Sequence, residues 1–166
     1  EQCSNCTSGR YSVDISSSCQ ICESGKFSLE MQADDCVTCP GGSASGAASS
    51  SCLKCETGFY AGRGSSSCFL CPGGSVPTAD QTGCKVCQAG KKGMLGETAC
   101  SSCSKGTFAF ENSPICTLCD PGTICGFEAE EMEVCPMGTY SGSGTDSCIA
   151  CGPFEIAPLN RSSSCT

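Results

Sequence analysis

The chain has 166 residues and 21 cysteines, but Leu, Ile, Val and Phe together number only 24, below the fifth of a chain that a packed core requires. With no Trp, no His, three Tyr, 21 Gly and a net charge of −8, the composition excludes a doubly wound enzyme fold, a helical bundle and a membrane protein. Burial of so few apolar side chains cannot by itself order a chain of this length, so covalent cross-links have to supply the difference.

So many cysteines imply metal loading in a reducing compartment or a disulfide framework in an oxidising one. Each Zn(Cys)4 site would add about two negative charges to an already acidic chain, and the absence of His removes the other common zinc ligand. Disulfides add no charge, so the composition points to a secreted or cell-surface chain with no cofactor. No window approaches about 18 apolar residues, so no membrane insertion is expected in this segment. The chain begins at Glu1 with neither an initiating Met nor a signal-peptide hydrophobic region, as a processed protein or a piece of a longer one would. Its nine basic residues are scattered, which argues against nucleic acid or an anionic membrane surface as a partner.

In chain order, Cys-x-x-Cys pairs stand at 3/6, 19/22, 36/39, 52/55, 68/71, 84/87, 100/103, 116/119 and 148/151, their starts advancing by 16 residues and once by 17. Continuing the count past Cys116 reaches 132/135, where Met132 replaces the first cysteine of the pair and Cys135 keeps the second. Cys125 is an extra cysteine in that stretch, Cys119-Asp120-Pro121-Gly122-Thr123-Ile124-Cys125, and is read as the replacement. Residues 1–118 therefore hold seven tandem repeats, 119–134 one irregular repeat, and 135–166 two more, the last interrupted after Cys165-Thr166.

The third residue after each second cysteine is Gly9, Gly25, Gly42, Gly58, Gly74, Gly90, Gly106, Gly122 or Gly138, and only Phe154 departs. Glycine held in phase this way is best explained by a turn that needs positive φ, or by backbone passing close to a disulfide. Two residues further on come Tyr11, Phe27, Tyr60, Val76, Phe108, Ile124, Tyr140 and Ile156. This apolar slot is expected to form each repeat's miniature core, laid over the neighbouring disulfide. Ala44 and Lys92 break the rule, which marks their two repeats as the loosest.

The consensus Cys-x-x-Cys-x-x-Gly-x-(Phe/Tyr)-Ser is seen most fully in Cys22-Glu23-Ser24-Gly25-Lys26-Phe27-Ser28 and in the run from Cys135 through Gly138, Tyr140 and Ser141 to Cys148. Over the whole chain it resembles the ephrin-receptor-like and tumour-necrosis-factor-receptor-like cysteine-rich repeats. The resemblance implies a small disulfide-rich β fold: an extracellular, elongated rod of tandem hairpin-loop repeats of about 16 residues, each stapled by disulfides and stacked on its neighbour, with no central hydrophobic core.

Two disulfide pairings fit the spacing. In the first, which is the single-loop pattern of the receptor-like module, the second cysteine of each pair joins the first of the next. This gives Cys6–Cys19, Cys22–Cys36, Cys39–Cys52, Cys55–Cys68, Cys71–Cys84, Cys87–Cys100, Cys103–Cys116, Cys135–Cys148 and Cys151–Cys165, with Cys119–Cys125 bridging the gap and Cys3 left unpaired or intermolecular. In the second, repeats interlock, for example Cys36–Cys52 with Cys39–Cys55 and Cys68–Cys84 with Cys71–Cys87. The recurrence of Cys39-Pro40-Gly41-Gly42-Ser43 as Cys71-Pro72-Gly73-Gly74-Ser75 supports such a double unit. A strictly even period is simplest with one identical link per step, which favours the first pairing without removing the second.

No enzymatic reading is expected. Thioredoxin-type chemistry needs its Cys-x-x-Cys at a helix N-terminus in a βαβ setting, whereas these pairs lie between Gly- and Ser-rich loops. Zinc-ribbon spacing is formally met, but the lack of His and the phased Gly and aromatic positions argue against it. Hydrolysis has no His, no Gly-x-Ser-x-Gly elbow, and in Asp34-Asp35 only ordinary loop carboxylates. The acidic run Phe127-Glu128-Ala129-Glu130-Glu131-Met132-Glu133 is suited to a helical turn and to calcium or a basic partner. It lacks Asp-x-Asp-x-Asp-Gly spacing, and a solvated insertion over a rearranged disulfide is the simpler reading. Sequons at Asn5 and Asn160 and the serine runs 16–18, 49–51, 65–67 and 162–164 suit a surface bearing glycans, although such residues also serve as polar turn filler.

Two functions of different class follow. One is a structural repeat protein, part of a surface stalk, coat or filament, whose partners are copies of itself or further repeats of a longer chain. The other is a receptor-type ectodomain that binds a protein along its loops. Binding hot spots favour Trp, Tyr and Arg, and this chain has no Trp, its three Tyr in the repeat slot, and Arg only at 10, 63 and 161, so the structural reading is preferred.

Overall fold

The structure, a computed structural model, describes residues 6–13, 18–30 and 33–166, so Cys3 and Asn5 lie outside the described residues. The building unit is seen in the second loop. The Lys26 amide donates to the Glu23 carbonyl at 3.1 Å, closing a four-residue turn with Gly25 third at φ 83°, the type II position that L-residues avoid. The strand Lys26–Phe27 leaves this turn and pairs antiparallel with Val37–Thr38, the dipeptide inside the next Cys-x-x-Cys. The Cys39 amide donates to the Gly25 carbonyl at 2.9 Å, and the Cys22–Cys36 disulfide shuts the loop. Repetition of this unit makes the described chain all β: eighteen strands of two or three residues in nine two-stranded antiparallel hairpins, with no helix among the described residues.

Ten disulfides run along the chain in sequence, from Cys6–Cys19, the first loop, to Cys151–Cys165, the tenth, with Cys119–Cys125 closing the eighth. Cα separations are 5.6–5.7 Å in nine of them and 6.2 Å in Cys119–Cys125, all within disulfide reach. No link of the interlocked kind is present among the described residues.

The chain divides into two compact units, Glu1–Cys71 with Pro77–Lys85, and Pro72–Val76 with Val86–Thr166. In the first, the amides of Gly9, Gly25 and Gly42 donate to the carbonyls of Ser28, Ser45 and Ala61 in the following loop at 2.7–2.8 Å. Ser12, Ser28, Ser45 and Ala61 donate onward to Ala33, Ser49, Ser65 and Gln81, while Ala48 and Gly64 donate back to Cys22 and Cys39. The second unit repeats the scheme: Gly74, Gly90, Gly106, Gly122 and Gly138 donate to Gly93, Ala109, Cys125, Ser141 and Ala157 at 2.7–2.9 Å, and Asn112, Glu128, Gly144 and Arg161 donate back to Cys87, Cys103, Cys119 and Cys135.

Backbones joined this directly leave room between them only for sulfur or one small side chain. The interior of each unit is accordingly a run of second-position cysteines, such as Cys22, Cys39, Cys87 and Cys103. Beside them lie the residues three places after the turn glycine, such as Ser28, Ser45, Ala61, Ala109 and Ser141. The apolar slot is therefore only in part the core. Val76 is buried, and so is Phe108, against Cys119 and Cys125, whereas Tyr11, Phe27, Tyr60 and Tyr140 are half-buried. Ala44 is itself buried, against Cys55 and Ala61, with Phe59 and Cys68 packed over the cluster. The acidic run is also not helical: Glu128 takes φ 56° in a turn, and Glu133–Val134 is a strand paired with Thr123–Ile124, as the 16-residue period demands at that place.

The irregular eighth loop has a geometric cause. A Cβ added at Gly93 would lie 2.7 Å from Cys87 Sγ, and Ser45 Oγ lies 3.2 Å from Cys39 Sγ. The small position thus rests on the second-position sulfur of its own loop, and a cysteine there, Cys125, reaches Cys119 directly. Met132 keeps the vacated first-cysteine place, half-buried on the Cys119–Cys125 pair with its sulfur accepting the Asp120 amide at 3.4 Å. In the chain-entropy account the short link is worth about 2.4 kcal/mol against about 3 kcal/mol for a full-length loop. Cys125→Ser should therefore lose about 2–3 kcal/mol of stability. Adding Met132→Cys should restore it, with the new thiol linked to Cys119, as checked by denaturant unfolding and disulfide mapping.

The turn glycines face a second constraint. A Cβ on Gly25 would lie 2.0 Å from the Gly64 carbonyl oxygen, two loops ahead, whereas one on Gly138 would meet nothing within 4 Å. Both have φ near 80°. Gly138→Ala should cost only the left-handed penalty of about 1–2 kcal/mol. Gly25→Ala, which also drives backbone from backbone, should cost at least about 3 kcal/mol or scramble the disulfides of its loop. Unfolding of the oxidised variants, with peptide mapping of their disulfides, separates the two.

Candidate functional site

All twenty described cysteines are held in disulfides, so none of them is a free thiol. Chemistry that remains on the surface lies in three places: the charges of the second unit, two shallow grooves, and the dipeptides inside the Cys-x-x-Cys pairs.

In the second unit, ion pairs skip one loop. Lys91 in the sixth loop meets Glu128 in the eighth at 3.6 Å, Lys105 in the seventh meets Asp146 in the ninth at 3.1 Å, and Asp120 in the eighth meets Arg161 in the tenth at 2.8 Å. A hydrogen bond from the Ser102 hydroxyl, with Lys91 adding its charge, holds the Glu128 carboxyl below its ordinary range. Lys105 does the same for Asp146, first by hydrogen bond and then by charge. In the first unit, Asp80 is lowered by the Thr78 hydroxyl at 2.6 Å and by the Thr82 amide.

An open groove of about 460 Å³ in the second unit is lined by Gln88, Ala89, Lys91, Glu111, Glu128 and Glu130. Among the described residues no cluster of three His, Cys, Asp or Glu could hold a metal ion. The sequence-selected acidic run is thus split: Glu128 is tied to Lys91 and Ser102, Glu130 lines the groove, and Glu133 sits in a hairpin. Asp34-Asp35 serves a loop closure, the Asp35 carboxylate accepting the Cys36 amide at 2.7 Å. In the first unit a groove of about 440 Å³ is lined by Ser45, Ser49, Ser50, Ser51, Ser66 and Ser67 with Ala44 and Leu53.

Sequence reasoning passed over the Cys-x-x-Cys dipeptides, which form the outer strand of each hairpin. Ile21, Val37, Leu53, Phe69 and Leu70 in the first unit, and Val86, Leu118, Val134 and Ile149 in the second, are exposed apolar side chains there. Phe69 sits across the hairpin from Tyr60, ring centroids 6.3 Å apart. The signal was present as one apolar residue in nearly every dipeptide. Asn160 of the second sequon is exposed, and its Oδ1 accepts the Met137 amide at 3.0 Å.

No family model matches the sequence, and no curated protein matches it. No helix among the described residues is long and apolar enough to cross a membrane. Tandem disulfide-closed hairpins fit a secreted or extracellular protein, with a structural or binding repeat as its role.

The carboxyls of Glu128 and Asp146 are lowered in the folded chain, so each contributes stability above its ordinary value, 4.5 and 3.8, that is lost as pH falls through the lowered one. The melting temperature should therefore drop on acidification below about pH 4.5. The drop should shrink in Lys105→Ala and Lys91→Ala and in high salt, since both groups are exposed. Thermal melts over pH 2–7 check the sign.

Proposed function

We propose that the chain is a non-enzymatic extracellular structural repeat, a disulfide-laddered rod forming part of a surface stalk, coat or filament. The supporting observation is that each described loop is shut by its own disulfide and, in eight of nine steps, hydrogen-bonded to the next through its turn-glycine amide, an arrangement whose stability accrues with length instead of around a centre. Its partners on this reading are further repeats, in a longer chain or in neighbouring copies, and its surface carries glycan at Asn160. It takes no cofactor and binds no nucleic acid. The likeness to ephrin-receptor-like and tumour-necrosis-factor-receptor-like repeats belongs to this proposal. The exposed apolar dipeptides favour a second reading, a receptor-type ectodomain gripping a protein along that row.

Two measurements test the construction and the reading separately. Under denaturing, non-reducing conditions, trypsin should separate the chain at Lys54 and Lys85 into residues 1–54, 55–85 and 86–166, because no sequential disulfide spans either cut. A link from Cys55 to the fragment bearing Cys39 would refute the ladder. Small-angle scattering of the oxidised protein should give an elongated particle, and a compact sphere would remove the rod. A single tight protein ligand that protects the apolar dipeptides would favour the receptor.

A further inference from the structure

The last loop lacks the glycine that every earlier turn carries. In seven turns with described surroundings, a Cβ on the turn glycine would lie 2.0–2.6 Å from a backbone carbonyl oxygen two loops ahead: Ala48 above Gly9, Gly64 above Gly25, Gly144 above Gly106, and so on. Real Cβ atoms do not approach that closely. In the tenth loop the equivalent position is Phe154, at φ 83° like the glycines, with its side chain fully exposed. A Cβ already stands where the carbonyl of a loop two further on would come.

The ninth loop is different. Gly138 keeps its glycine, is exposed where the other turn glycines are buried, and has nothing within 4 Å of its Cβ position. Around it the surface has the character of an interior. Cys151 is half-buried while every other second-position cysteine is buried, and Ile156 is 62% exposed in the slot that is covered or half-covered in the other loops. The amides of Phe154 and Ala157, whose counterparts donate to the following loop, donate to no backbone carbonyl among the described residues.

We infer that this face docks one further disulfide-closed loop of the same repeat, and that Phe154 bars a second in register. The occupant is identified by continuity: the same surface, with the same two amides and the same glycine vacancy, is covered by such a loop at the earlier steps of the ladder. A second copy adding head to tail is disfavoured by the same residue, because its second loop would bring a carbonyl onto the Phe154 Cβ. Any longer rod must bend or reset its register here. This goes beyond the proposed role and does not depend on where the protein resides.

The test lengthens the full chain after Thr166 by one alanine and a copy of residues 135–148, supplying an eleventh loop, and then by a copy of residues 149–150 and 135–148 again, supplying a twelfth. The eleventh loop should slow hydrogen exchange at the Phe154 and Ala157 amides by at least about tenfold. The twelfth should leave its own left-handed turn amide unprotected, and Phe154→Gly in the same chain should protect it. Unchanged exchange at Phe154 and Ala157 on adding the eleventh loop would overturn the docking face. Equal protection of the twelfth loop with Phe and with Gly would overturn the stop. Concentration-dependent protection of those two amides in the unextended chain would assign the face to a second copy and overturn the occupant named here.

Discussion

Each disulfide among the described residues closes the loop that contains it and reaches no other, and most of the architecture is a consequence. A pair of two-residue strands cannot persist in water alone. Shut by a bridge between cysteines 13 or 14 residues apart, it needs only two or three backbone bonds to hold its shape. The two sulfurs of one Cys-x-x-Cys therefore point to opposite loops, and no covalent tie other than the main chain crosses the dipeptide between them. Cohesion from loop to loop is left to hydrogen bonds, and those bonds set the spacing of everything else.

Because the bonds run backbone to backbone, successive loops approach until only a sulfur, a methyl or a hydroxymethyl fits between them. Buried side-chain nitrogens and oxygens are all partnered among the described residues. Ser45 donates its hydroxyl to the Lys26 carbonyl, and Ser141 to that of Thr123. The hydroxyls of Ser43, Ser75, Thr107, Thr123 and Thr139, one place after the turn glycine, donate to the carbonyl three residues back and brace the turn. The frequency of Ser and Thr, which reads as polar filler in the sequence, has this structural part to play.

What was legible followed from identity of residue type. Nine glycines in phase announced a left-handed turn, and nine Cys-x-x-Cys pairs announced the period. The second left-handed position of each loop was hidden because it is filled by Ala48, Gln81, Asn112, Glu128 and Arg161 as well as by Gly64, Gly96 and Gly144. At Ala48, Gly64, Asn112, Glu128, Gly144 and Arg161 the backbone geometry is imposed by the amide's bond to the cysteine carbonyl one loop back, and at Gln81 by a bond to Thr78 in its own loop, at a cost of order 1 kcal/mol that a shut loop tolerates. The core was misread for a related reason. Size usually marks burial, but here most large side chains are displaced outward by the closeness of the backbones, and apart from Phe108 and Val76 the buried residues are cysteines and small side chains. The acidic run looked helical by composition, and periodicity overrode it: Glu133 occupies a hairpin strand because its place in the count is a strand.

The same crowding decides where such a chain is free to vary. Turn glycine, second cysteine and small residue are each fixed by a contact within a few ångströms, so specificity cannot be written there. The Cys-x-x-Cys dipeptides and the skip-loop charges face solvent, and their identities differ from loop to loop: Leu53-Lys54, Phe69-Leu70, Ser101-Ser102, Glu133-Val134. An apolar side chain kept exposed on the outer strand adds nothing to the ladder's own cohesion. Those dipeptides can therefore change from loop to loop without disturbing the turn glycine, the cysteine or the small residue beneath them.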